Sequence, residues 1–158
     1  MSSMALKEDL QNQDSYYMAE IKSIKRILDA GGCKVPILCF IDEVLRGTNT
    51  VERIAASSKI LESLSEMNAL CFAATHDIEL TYMIDKYYEN YHFQEEIRED
   101  KMLFDYKLYT GRSETRNAIS LLKLIGYSDD VVNEARNRAD DFIRYGSWYV
   151  KEQIQDIQ

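Results

Sequence analysis

The sequence predicts an α/β fold: parallel strands with flanking helices, then an antiparallel hairpin and a helix-turn-helix tail. Three observations carry this expectation. Two uninterrupted apolar runs, Val35 to Ile41 and Ala69 to Thr75, are separated by a stretch of helical periodicity. That order implies parallel strands joined by a crossover. Residues 87–109 then change to the period of an exposed sheet, and residues 115–145 return to helical spacing around a Gly-Tyr-Ser break.

Residues 1–13 are polar without a clear period and are expected to form loop. From Ser15 to about Leu28, Tyr17, Ile21, Ile24 and Leu28 recur at helical spacing, and Gly31-Gly32 ends that helix. Val35 to Ile41 is continuously apolar, the pattern of a strand covered on both faces. A second helix is expected from about Thr50 to Met67, with Ile54, Leu61 and Leu64 on its inner stripe. Ala69 to Thr75 is the second buried strand, ending at His76-Asp77, and a short helix from about Ile78 to Ile84 follows.

Tyr87 to Ile97 and Met102 to Tyr109 predict two strands around an Arg-Glu-Asp-Lys turn. In the second, Met102, Phe104, Tyr106 and Leu108 alternate with Leu103, Asp105, Lys107 and Tyr109. Gly111-Arg112-Ser113 closes the pairing. Two helices, about Thr115 to Ile125 and Asp129 to Tyr145, flank Gly126-Tyr127-Ser128. Beyond Trp148 a weak Val150, Ile154, Ile157 stripe suggests helix or a frayed end.

A chain of 158 residues can bury a real core, and 46% hydrophobic with 29% charged residues is ordinary for a globular protein. No apolar run approaches the roughly 18 residues that a membrane span needs, and the N-terminus lacks the basic-then-apolar layout of a secretory signal. Three cysteines, Cys33, Cys39 and Cys71, have no patterned spacing, and Cys39 and Cys71 fall inside strands where a thiol acts as a small hydrophobe. A reducing cytoplasm is the expected compartment. With two histidines and no Cys/His cluster, a zinc site is not expected. Acidic residues outnumber basic ones 27 to 19, for a net charge of -8, which disfavours direct contact with a nucleic-acid backbone.

Residues 37–50 hold the densest chemistry: Ile-Leu-Cys-Phe-Ile, then Asp42-Glu43, then Val-Leu-Arg46-Gly47-Thr48-Asn49-Thr50. Adjacent carboxylates at a strand end repel each other and add little to a fold. With Mg²⁺ and a nucleotide they divide the work, Asp42 helping to hold the metal through water and Glu43 orienting the attacking water. The bland alternative is a strand that ends in solvent. His76 ends the neighbouring strand, so a parallel sheet brings it beside Asp42-Glu43, where it can reach a γ-phosphate or the water. Otherwise it is a histidine held by a backbone hydrogen bond. Ser15 stands at a helix start, either as a simple cap or as a hydroxyl presented with the helix dipole to a phosphate. Tyr82, Tyr87, Tyr88 and Tyr91, four of 11 tyrosines, have no basic groove beside them and read as packing residues. Arg112 and Arg116 read as solvated surface, with a phosphate or partner contact as the alternative. Cys33 reads as a loop cysteine. No phosphate-cradling Gly-x-x-x-x-Gly-Lys-Ser/Thr loop occurs in the 158 residues.

Together these segments resemble the C-terminal ATPase domain of the MutS family, in the ABC class of P-loop ATPases. Ser15-Tyr-Tyr-Met-Ala-Glu20 resembles the family's signature segment. Asp42-Glu43-x-x-Arg46-Gly47-Thr48-Asn49-Thr50 resembles its Walker B and D-loop, and Ala74-Thr75-His76-x-x-Glu79-Leu80 resembles its His switch. Gly126-Tyr-x-x-x-Val-Val-x-x-Ala135-Arg136 follows its closing helix-turn-helix. The resemblance runs from about Ser3 to Ile143. Leu45 replaces the first Gly of the family's Gly-Arg-Gly-Thr, and the usual Ser-Tyr-Gly is absent around Thr115-Arg116-Asn117-Ala118, which points to a divergent branch.

The resemblance implies a partial ABC-type domain whose phosphate loop precedes residue 1. Residues 1–112 would carry the ATPase elements, and 113–158 a helical dimerisation tail packed on them. It implies a homodimer in which two ATPase domains pair head to tail around ATP and Mg²⁺. Asp42 would assist Mg²⁺, Glu43 polarise water and His76 sense the γ-phosphate. Ser15 would reach the partner's nucleotide, with Thr48, Asn49 and Thr50 carrying signals across the dimer. DNA would be bound by domains outside this chain, in mismatch repair or a related transaction. Without the phosphate loop, this polypeptide alone is expected to turn over little ATP. The alternatives are a dimerisation module with vestigial motifs, or another ABC-type ATPase, whose usual Leu-Ser-Gly-Gly-type signature is absent.

Overall fold

The computed structural model describes residues 2–3, 16–32, 34–98, 101–113, 115 and 117–148. In chain order the elements are β1 (Ser2–Ser3), α1 (Tyr16–Gly31), β2 (Ile37–Asp42), α2 (Thr50–Ser65), β3 (Ala69–Ala74), α3 (Ile78–Met83), β4 (Tyr91–His92), β5 (Glu95–Arg98), β6 (Lys101–Phe104), β7 (Tyr109–Thr110), α4 (Ala118–Ile125) and α5 (Asp129–Tyr145). They divide into two compact units, residues 1–92 with 108–113, and residues 93–107 with 114–158.

The first unit is built on a parallel sheet of order β1-β2-β3. Strands β2 and β3 pair in register from Ile37 opposite Ala69 to Asp42 opposite Ala74. Alternation sends Cys39 and Ile41 inward, where they join Ile24 and Ile27 of α1, Leu61 and Leu64 of α2, Val44, Leu45, Leu80 and Ile84 in one buried cluster. Helix α2 starts where Asn49 Oδ1 accepts the Glu52 N–H at 3.0 Å, with Glu52 adding favourable charge to the first turn.

The continuous apolar runs predicted strands covered on both faces; the structure corrects this. Cys39 and Ile41 are 0% and 3% exposed, whereas Leu38 and Phe40 are 47% and 42%, and Leu70 and Phe72 are 61% and 54%. The helices of this unit share their core with one sheet face only. On the open face Phe40 and Phe72 stack at 5.4 Å between ring centroids. A second correction concerns the expected loop at residues 1–13: Ser2 and Ser3 pair in parallel with Phe40 and Ile41.

The two long strands expected over Tyr87–Ile97 and Met102–Tyr109 are four short ones. Strand β4 pairs antiparallel with β7, and β5 with β6. Asp105 Oδ1 accepts the Lys107 N–H at 3.0 Å and Tyr106 takes φ +55°, so a local side-chain turn overrides the period-two pattern. Tyr87 and Tyr88 belong to the turn after α3, where their hydroxyls donate to Glu62 Oε1 and the Leu61 carbonyl. Arg112 is not solvated surface. It donates to Thr81 Oγ1 and O at 3.0 Å, pairs with Asp85, and lies 4.2 Å over the Tyr82 ring.

In the second unit, β5 and β6 form a hairpin and α4 packs on α5. The first of these helices starts at Ala118 rather than near Thr115, and ends where Gly126 adopts φ +99° and Tyr127 N–H closes on the Leu122 carbonyl. Val132 of α5 is 1% exposed. No helix among the described residues is long and apolar enough to cross a membrane. The stripe beyond Trp148, Cys33 and Arg116 lie outside the described residues.

Candidate functional site

Strand β2 delivers its carboxylates where the ladder to β3 ends, at the Glu43 N–H, which donates to the Ala74 carbonyl at 3.0 Å. The chain then reverses sharply. Glu43 takes φ +50° and Leu45 φ +59°, left-handed conformations that are strained for side chains of this size. Val44 and Leu45 are nonetheless buried, which holds the turn against the core. Gly47 lets helix α1 approach: a Cβ there would lie 2.9 Å from the Tyr17 Cβ, so Tyr17 closes over the turn only because that position has no side chain.

The turn aims Glu43 at His76. Glu43 Oε1 lies 3.3 Å from His76 Nε2, and Oε2 lies 3.1 Å from Arg46 Nε. Each carboxylate oxygen keeps a further lone pair for a water molecule. His76 is solvent-facing, 92% exposed at its side chain, so its placement depends on the flanking residues. Asp77 provides it. Its carboxylate takes both Nε and Nη2 of Arg53, at 2.8 and 2.6 Å, tying the first turn of α2 to the loop after β3. The Asp77 N–H donates to Thr75 Oγ1 at 3.0 Å. Glu43, Val44, Arg46, Arg53, Thr75, His76 and Asp77 line a cleft of about 130 Å³. That holds a few waters or the end of a phosphate chain and is too small for a nucleotide, since small-molecule pockets run to about 300 Å³ or more.

The sequence-derived candidates therefore divide. Glu43 and His76 are brought together. Asp42 is exposed beside them and does not line the cleft; alternation puts it on the open face with Leu38 and Phe40. Asn49 uses its side-chain oxygen to cap α2, Thr48 Oγ1 donates to Glu52 Oε2 at 3.3 Å, and Thr50 is the first residue of the helix. Ser15 lies outside the described residues. Among the described residues, no group of three or more His, Cys, Asp and Glu side chains could hold a metal. Asp42 and Glu43 suit Mg²⁺ only as one or two carboxylates beside phosphates and water, its usual coordination. Sequence reasoning missed the roles of Arg46, Arg53 and Asp77. Arg46, three residues beyond Glu43, carried a local signal, whereas the Arg53–Asp77 pair spans a helix and a strand.

Of the two strand cysteines, Cys39 is buried and Cys71 half-buried, both packed with the core cluster. Burial and the neighbouring Cys39 push Cys71 up to about 12, so it stays a neutral thiol at neutral pH.

Fold and cleft define a parallel α/β unit with its polar side chains gathered at the carboxyl ends of adjoining strands, the usual place for ligands in such sheets. A family model for MutS domain V matches residues 2–143, and the chain belongs to that family. It is 35% identical over 125 residues to the DNA mismatch repair protein MutS of Aquifex pyrophilus, covering 77% of this chain and 14% of that protein. It is 36% identical over 118 residues to the MutS protein homolog 4 of Mus musculus and over 119 residues to that of Homo sapiens, covering 70% of this chain and 12% of each relative. The chain thus spans about an eighth of the length of these relatives.

Proposed function

We propose that these residues are the C-terminal part of a MutS-like, ABC-class ATPase domain, divided near residue 112 into ATPase elements and a helical dimerisation tail. ATP binding and hydrolysis at a dimer interface switch the parent protein between conformations. The observation that carries this reading is the Glu43–His76 contact at 3.3 Å, made across adjoining strand ends beside the exposed Asp42. A purely structural strand end gains little from three such groups, and hydrolysis of a phosphoanhydride uses all of them. The phosphate loop is supplied by a segment outside these residues.

In this reading ATP is the substrate, and Mg²⁺ supplies the charge that offsets the build-up on the transferred phosphoryl group. Asp42 helps hold the metal through water. Glu43 accepts a proton of the attacking water and orients it. His76 donates from Nε2 and reports the γ-phosphate to Glu43, with the Arg53–Asp77 pair fixing the loop. Ser15 completes the partner's site, and Thr48, Asn49 and Thr50 carry signals across the dimer. The whole protein is a DNA-transaction ATPase, in mismatch repair or a related process, with DNA held by other domains and the chain resident in the cytoplasm.

An ATP switch depends on differential affinity for the closed dimer. Sedimentation of the full-length protein carrying Glu43→Gln is expected to show tighter dimers with ATP and Mg²⁺ than without. Dimerisation indifferent to nucleotide would favour an interaction module with vestigial motifs.

A further inference from the structure

Among the described residues the buried polar side chains are Glu20, Ser23 and Ser57, and two of these three close on one peptide group. The Glu20 carboxylate, from α1, accepts the Leu45 N–H at 2.5 Å and also a backbone N–H of Arg46. Ser57 Oγ, from α2, donates to the Val44 carbonyl at 3.1 Å. The Val44 carbonyl and the Leu45 N–H belong to the same peptide plane, and a trans peptide points them in opposite directions. Two helices therefore grip that plane from its two sides. It sits between the left-handed Glu43 and Leu45, where an unheld peptide would relax.

We propose that Glu20 and Ser57 act as a clamp on the Val44–Leu45 peptide that positions Glu43 toward His76, and so sets the rate of hydrolysis without touching nucleotide. Rotation of this plane would change the φ of Leu45 and the ψ of Val44, and with them the path of the two-residue link between Glu43 and Arg46. The clamp also has a direction. Helix α1 begins next to Ser15 and α2 begins at Thr50, so both helices grip the base-bearing turn while starting at residues read as facing the partner. A shift of either helix on dimer closure is transmitted to Glu43 through one peptide. The inference rests on the ATPase reading above.

Burial raises the Glu20 carboxyl above its ordinary value, against the opposing pull of the Leu45 and Arg46 N–H groups and Arg46 itself. Gln has the shape of Glu and keeps an oxygen acceptor for the Leu45 N–H, so Glu20→Gln is expected to fold. Its amide oxygen retains one acceptor but loses the charge that holds two N–H groups. The test compares Glu20→Gln and Glu20→Ala with wild type in the full-length protein, reading kcat, KM for ATP and thermal midpoint. Expected is a kcat lowered roughly 10- to 100-fold, more in Ala than in Gln, because small displacements of a reacting group have effects of this order. KM should stay within about twofold, since neither residue contacts nucleotide. Unchanged kcat in the folded Gln variant overturns the clamp. So does a loss carried by KM, or failure of the Gln variant to fold, since Glu20 would then act on binding or on the fold. Glu43→Gln in parallel separates the two levels. If it abolishes turnover while Glu20→Gln does not, the clamp alone fails; if it leaves turnover intact, the ATPase reading fails.

Discussion

Glu43→Gln is expected to lower ATP turnover of the full-length protein by about 10²- to 10⁴-fold, the usual contribution of a positioned general base. The substitution keeps the shape of the side chain and removes its ability to take a proton from water. It also changes the contacts to His76 Nε2 and Arg46 Nε, both of which now meet a carboxylate oxygen. One oxygen becomes an NH₂ group, so only one of the two donors keeps its acceptor. Binding is a separate matter. Nothing in the cleft of about 130 Å³ is large enough to carry the affinity for a nucleotide, so ATP binding by the variant should stay close to wild type. Single-turnover hydrolysis beside equilibrium binding of labelled ATP checks both halves. Turnover within about tenfold of wild type would remove Glu43 from the role of base.

The second large effect is on stability. Leu64→Ala should destabilise the fold by about 2–5 kcal/mol, from lost transfer energy and the cavity left behind. Leu64 is 0% exposed and, with Leu61 of the same helix, belongs to the core cluster that also holds Ile27, Cys39 and Ile41. This cluster joins α1 and α2 to the buried face of the sheet that carries the site. Against a typical total of about 5–15 kcal/mol, the loss is a large fraction. Ile125→Ala provides the contrast. Ile125 is 75% exposed, and its truncation should stay within about 0.5 kcal/mol. Denaturant unfolding of the two variants checks the pair; equal effects would contradict the core assigned here.

Much of the site-bearing unit was legible because its signals are local. Asn49 followed by Glu52 marks a helix start, and the apolar runs around Cys39 and Cys71 mark strands whose ends must align. Which faces are covered was not legible. A continuous apolar run presents the same letters whether helices pack on one face or two, and only the exposures of Leu38 and Phe40 against Cys39 and Ile41 decide it. Pairing of Ser2 and Ser3 with β2 uses backbone groups, so their side chains carry no trace of it. The broken hairpin was hidden by Asp105, whose side-chain turn competes with the alternation around it.

The site followed the same division. Strand ends placed Glu43 next to His76, and the distance of 3.3 Å agrees with that juxtaposition. Residues that hold the arrangement act across long sequence separations. Glu20 meets Leu45 25 positions away and Arg53 meets Asp77 24 away. Glu20 reaches a backbone N–H, which every non-proline residue offers, so no pattern of side chains marks the contact. Asn49 shows the local case: its side-chain oxygen accepts the Glu52 N–H three residues on and caps α2.

In the proposed dimer each nucleotide site is assembled from Glu43 of one protomer and Ser15 of the other. Mixing full-length Glu43→Gln with Ser15→Ala protein, each nearly inactive alone, tests it directly by ATP turnover after subunit exchange. In a symmetric dimer a mixed pair retains one intact site, because both substitutions fall in the same other site. Random exchange of equal amounts should therefore restore about a quarter of wild-type turnover. Turnover that stays at the level of the separate variants, with exchange confirmed, would contradict a shared site.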